Sequence, residues 1–320
     1  MTNLISRSTK YEVKFNVWVN DSELPQFKTK VKTTCGSWLD DAQEIFDVAI
    51  PTCTTALVQP DNVSDRFRNL LSYYFGLPSD CSQERYRACL NAILSRLMRT
   101  KSGLFSGVDL ADREQMPYLA KALTYASWAT CKGDPTEHYA GFVWEDFLES
   151  WPKAAKQAYK IRKTKWDQKN GWVSTLLGGQ LNGGGYEKPL YYPIHLNFNK
   201  IWPKGRQYCV ITLIHEATHR FAETVDHAYF KDDGSILGKL DEAIRSCSIL
   251  KNIYLEELKN DNNKEAKANA RVVDQALNQL RGQNPAAKTM QQIGEMEAVN
   301  NADSLAWFAH DVALLTLEIT

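Results

Sequence analysis

The sequence predicts an α+β protein, predominantly helical, with a small mixed sheet and an N-terminal strand pair. Three observations carry this expectation. Tyr11, Val13, Phe15 and Val17 alternate with Glu12, Lys14 and Asn16, a period of two that marks a half-buried strand. A second alternating run, Tyr192, Ile194, Leu196 and Phe198 around His195 and Asn197, is the clearest strand of the second half. Almost everywhere else the apolar residues recur at helical spacing.

Taken in order, the strand over residues 10–19 is expected to pair with FKTKVKTT, Phe27–Thr34, so that residues 1–35 form a strand-rich extension. Helices are expected near 38–50, 63–75 and 83–100, the last with Tyr86, Cys89, Leu90, Ile93, Leu94 and Leu97 on one stripe. Gly103–Gly107 breaks the pattern, and helices resume near 110–130 and 140–170. Gly178–Gly185 is a glycine-rich loop without the spacing of a phosphate-binding motif. Further helices are expected at 206–222, 235–260, 264–281 and 296–317.

Composition narrows the function. With 320 residues, 43% of them hydrophobic, the chain can bury a core as one large domain or two small ones. Lys plus Arg and Asp plus Glu are 38 each, so no overall charge calls for nucleic acid. The six Lys and one Arg of Lys153–Lys169 read as a solvated helix face in preference to a nucleic-acid or membrane patch. No segment is apolar enough to span a bilayer and no secretory signal opens the chain, which points to a cytoplasmic protein or to export by a non-classical, specialised route. Seven cysteines, none spaced as CxxC, read as scattered thiols, with one or two bridges among Cys35, Cys53, Cys81 and Cys89 as the other reading.

One motif carries chemistry. His215-Glu216-Ala217-Thr218-His219 follows the apolar run Val210–Ile214. Two His four residues apart lie one turn apart on a helix face, where both imidazoles reach one tetrahedral ion at about 2.0–2.1 Å. Glu216 stands beside the first ligand, where it can take a proton from a metal-activated water without binding the metal. Zinc needs a third protein ligand and an open position. Asp226, His227 and Glu242 are the candidates, and spacing alone leaves all three open.

His215–His219 followed by Thr224-Val225-Asp226-His227-Ala228-Tyr229 resembles the signature of the aspzincin metalloendopeptidases, the deuterolysin and peptidyl-Lys metalloendopeptidase family. Asn301-Ala302-Asp303-Ser304-Leu305-Ala306-Trp307-Phe308-Ala309 is similar to a second family segment, and Arg66-Phe67-Arg68 through Tyr73-Tyr74-Phe75-Gly76, more weakly, to a third. The resemblance implies a zincin-like metallopeptidase domain over residues 36–320 with an insertion within about 102–185. It implies Zn²⁺ held by His215, His219 and Asp226, Glu216 as general base and Tyr229 as oxyanion stabiliser. It also implies Asp303 in a pocket for a substrate Lys after the scissile bond. Glu223 and Phe230 replace two glycines of the signature, and Ala306 replaces a pocket Glu, so strict Lys specificity does not carry over.

The function this implies is zinc-dependent endopeptidase, with a peptide or protein as substrate and neither nucleic acid nor membrane as partner, used as a delivered effector or toxin or as a housekeeping enzyme. The run Tyr192–Asn199 is expected either to pair with substrate backbone as an edge strand or to sit inside the sheet. The alternative function is a non-catalytic, zinc-stabilised binding module or interaction effector, in which His227 supplies a fourth ligand.

Overall fold

A computed structural model describes residues 2–7, 12–18, 24–106, 123–126, 141–142, 194–196, 201–231, 234–261, 264–282 and 289–317. The basic stretch 153–169 and the glycine-rich loop 178–185 lie outside these residues, as does most of the expected insertion.

Strand β1 (Thr2–Arg7) pairs antiparallel with β2 (Glu12–Trp18). The expected partner, Phe27–Thr34, is instead part of a long helix, α1 (Leu24–Val58). The reason is legible in hindsight: Leu24, Phe27, Val31, Cys35, Trp38 and Ala42 recur at three- and four-residue steps, and this period overrides the short alternation of FKTKVKTT. Helices α2 (Asp65–Phe75) and α3 (Gln83–Ser106) follow. Ser64 caps α2 by accepting from the Phe67 N–H, and Gly76 ends it at φ +65°.

The middle of the chain adds three strands, β3 (Leu123–Ala126), β4 (Gly141–Phe142) and β5 (Ile194–Leu196). Residues 123–126 and 141–142 are thus strand where helix was expected. The sheet order is β1-β2-β3-β5-β4, with β2, β3 and β5 parallel and β1 and β4 antiparallel to their neighbours. The N-terminal pair therefore extends the sheet at one side, Phe15 lying opposite Leu123. At the other side β5 is interior, with β3 and β4 on its two flanks, and β4 is the edge among the described residues. The edge-strand expectation for 192–199 is corrected on this point, because both sides of β5 already carry ladder partners.

Helix α4 (Arg206–Ala222) runs through the centre. Every residue from Cys209 to Ala222 is buried, and α1, α3, the C-terminal helix and strands β4 and β5 all pack on it. Gly103 of α3 makes one of these approaches possible, since a Cβ there would lie 2.1 Å from the Phe221 ring. After α4 come the hairpin β6 (Ala228–Phe230) and β7 (Ile236–Gly238), then helices α5 (Lys239–Asp261) and α6 (Lys264–Arg281). These last two bury a core of their own, including Cys247, Leu250, Tyr254, Val273 and Leu277.

Two short helices, α7 (Met290–Ile293) and α8 (Glu295–Val299), lead to α9 (Ala302–Leu317). The single helix expected over 296–317 is broken at Asn300–Asn301, where the backbone leaves the helix to form a parallel bridge with Val225. The main core joins α1, α2, α3, α4 and α9 around Trp38, Phe46, Phe75, Leu90 and Phe308. Phe308 meets Phe67 and Phe75 edge to face at 5.8 and 5.0 Å. The described cysteines Cys53, Cys81, Cys89, Cys209 and Cys247 are free thiols, and burial pushes Cys53 and Cys89 up to about 12.

Candidate metal centre

The two imidazoles are set by the helix and then locked from outside. His215 and His219 lie one turn apart on α4, and their Nε2 atoms are 3.1 Å apart. His219 Nδ1 is 2.7 Å from the Thr224 carbonyl oxygen. A carbonyl only accepts, so this nitrogen carries the hydrogen and Nε2 keeps its lone pair. His215 Nδ1 is 3.1 Å from Asp303 Oδ1, which fixes the second ring in the same tautomer.

The turn after α4 supplies the third group. Glu223 ends the helix in the left-handed region at φ 56°, the only non-glycine residue with positive φ among those described. Its position lets the chain reverse, so that Thr224 meets His219 and Asp226 comes back over the helix. Thr218 and Thr224 hydroxyls close the turn at 2.8 Å. Asp226 Oδ1 then lies 3.2 Å from His215 Nε2 and 3.3 Å from His219 Nε2. It is buried and accepts no hydrogen bond. Asp226 Oδ2 accepts from the Tyr229 hydroxyl at 2.8 Å, which aims the other oxygen at the rings.

Three lone-pair-bearing atoms thus face one point. Mutual repulsion disfavours this unless positive charge sits among them. A tetrahedral ion with bonds of about 2.0–2.1 Å spaces its donors about 3.3–3.4 Å apart, close to the separations of 3.1, 3.2 and 3.3 Å found here. The donor set therefore fits a metal ion, and these three residues could hold one. Among the described residues no further His, Cys, Asp or Glu joins the group. Of the candidates that spacing left open, Glu242 lies on α5 and faces Arg245 at 3.9 Å, and His227 contributes its backbone N–H to Asn301.

Electrostatics follow the same geometry. Burial works against a charged His215, but the Asp226 carboxylate, with Asp303 behind it, holds the ring well above its ordinary pKa. Burial likewise works against a charged Asp226, but His219 and His215 hold its carboxyl well below the usual range. Glu216 is buried at the same end of α4, next in the chain to His215. The Tyr229 ring lies nearly parallel to that of His215, with centroids 6.0 Å apart.

Asp303, which the resemblance sets in a substrate pocket, stands beside His215 and the ligand-bearing loop. It is 8% exposed, and its Oδ2 accepts from the Phe230 N–H at 2.6 Å while Oδ1 meets His215. Both oxygens thus have a partner inside the protein. Two further residues belong to the site and had no assigned role in the sequence. Thr224 orients His219, and Asn301, fully buried, accepts from the His227 and Ala228 N–H groups and donates to the Ala228 carbonyl. The only sequence signal for either was its place inside a quoted motif. The segment Arg66–Gly76 is placed nearby through its aromatic face: Tyr74 packs on Phe230 at 4.9 Å and Phe75 on Phe308.

Compared with models of protein families, with curated proteins and with solved structures, the chain finds no match.

Proposed function

We propose that the protein is a zinc-dependent endopeptidase of the aspzincin type, acting on a peptide or protein. The observation that carries this reading is the convergence of His215 Nε2, His219 Nε2 and Asp226 Oδ1, each backed by an outer partner, with a buried glutamate beside them. Zinc held there would supply a polarised carbonyl and a water acidic enough to be used near neutral pH. Glu216 takes the proton of that water and delivers it to the departing amide nitrogen. Tyr229, released from Asp226 or shared with it, donates to the oxygen on which charge develops. Substrate backbone pairs with β4, the edge among the described strands, since β5 is flanked on both sides.

The alternative, a structural metal in a binding module, predicts four protein ligands and no proton carrier. Three converging side chains with Glu216 alongside favour the enzyme. The test is cleavage of a mixed peptide library by wild type and Glu216→Gln, with and without chelator. Wild type is expected to cut, chelator to abolish cutting, and Glu216→Gln to retain the metal while losing about 10²–10⁴-fold in rate. A Glu216→Gln protein as active as wild type would remove the general-base role.

A further inference from the structure

We infer that Asp303 is a positioning residue for the metal cage, and that Asn301–Asp303 forms a clasp locking the ligand-bearing loop 225–230 onto the helix that carries His215. The inference rests on the metal-peptidase reading above and gives Asp303 a task other than receiving a substrate side chain.

The argument is one of juxtaposition. Asp303 stands in the first turn of α9, 88 residues along the chain from His215, yet its Oδ1 lies 3.1 Å from His215 Nδ1. The same carboxylate accepts the Phe230 N–H, one residue past Tyr229. Two positions earlier, Asn301 makes a backbone bridge to Val225, and its side chain holds the N–H groups of residues 227 and 228. Asn301 also donates to the Ser304 hydroxyl, which ties its amide to the start of α9. Ligand Asp226 is therefore bracketed by contacts at 225 and 227, and ligand His215 is held by the same turn of chain. A carboxylate behind a ligating imidazole fixes the ring's tautomer and raises its basicity, and its loss costs about 10–100-fold in metal affinity.

An amide cannot replace Asp303. Asn offers a single acceptor oxygen, so its NH₂ group would face either the Phe230 N–H or the Nδ1–H of His215, donor against donor. The test is zinc affinity by competition with a chromophoric chelator, with the visible spectrum of the Co²⁺-loaded form, for wild type, Asp303→Asn and Asp303→Ala. Zinc binding is expected to weaken about 10–100-fold in both variants, with altered Co²⁺ bands. Unchanged affinity and spectrum, with only the preference for Lys-containing peptides lost, would overturn the inference and return Asp303 to the substrate pocket.

A second measurement needs no variant and covers the case in which both misfold. In ¹⁵N-His-labelled wild type, His215 Nδ1 should carry a hydrogen, whether or not Nε2 is also protonated. A bare Nδ1 would overturn the inference. If wild type binds no zinc but carries the Nδ1 hydrogen, the peptidase reading fails and the clasp stands. If it binds zinc with a bare Nδ1, the clasp fails alone.

Discussion

Glu223→Gly probes the turn that brings Asp226 over the helix. Glu223 sits at φ 56° and ψ 35°, where its N–H reaches back toward the Thr218 carbonyl to close α4. A residue with a Cβ pays about 1–2 kcal/mol to occupy this left-handed region. Glycine occupies it without that cost but brings a freer unfolded chain, worth about 0.5–1 kcal/mol in the opposite direction. The side chain itself contributes little, because Arg99, its cationic neighbour among the described residues, is 3.9 Å away and the pair is largely in water. The balance is a gain of up to about 1.5 kcal/mol, or a folding equilibrium up to roughly tenfold more favourable. Urea denaturation of wild type and Glu223→Gly, both treated with chelator, measures it. A lower denaturation midpoint in Glu223→Gly would mean that the turn is not held in the left-handed geometry, and the path from His219 to Asp226 would have to be redrawn.

Two further outcomes follow from the same geometry. Protons and metal compete for His215, whose pKa is held well above its ordinary value first against burial and then by Asp226. Zinc affinity should therefore rise as pH rises from the ordinary His range up through the raised value, since the ring must lose its proton to bind. Asp226, held low, titrates only at strongly acid pH. By linkage, the stability that the protonated His215 confers on metal-free protein is full below the unfolded His value and is lost as pH rises through the raised one. Chelator-buffered zinc titrations across this range check it, and a flat or falling affinity would contradict the assigned ring. Gly103→Ala should destabilise the fold by about 1–3 kcal/mol, because the added methyl would meet the Phe221 ring at 2.1 Å and force α3 from α4; thermal unfolding reads this directly.

Helix α4 was legible from the sequence to the residue, because an apolar run feeding HExxH has one stable burial pattern and Glu223–Thr224 ends it. Helix α6 matches its expected range to the residue and α2 within two residues, its ends capped by Ser64 and Gly76. The start of α1 was misread because eight residues of alternation outweighed a longer helical period. Strands β3 and β4 are four and two residues long, too short for any period to declare itself. At the centre, spacing named three candidate ligands and could go no further. Which one turns inward depends on a left-handed residue, a threonine hydroxyl pair and an asparagine 75 residues beyond Asp226, none of which a local pattern encodes.

The clasp also sets a timetable. His215 and Asp303 are 88 residues apart in the chain, and at about 5–20 residues per second a ribosome needs roughly 4–18 s to make that interval. During it, α5 and α6 are made and can pair with each other, because their core needs nothing from the rest. The ligand loop meanwhile has no anchor. A nascent chain would thus carry His215, His219 and Asp226 while lacking the turn that holds them in order, so the proposed cage would be complete only once α9 had been made and had docked.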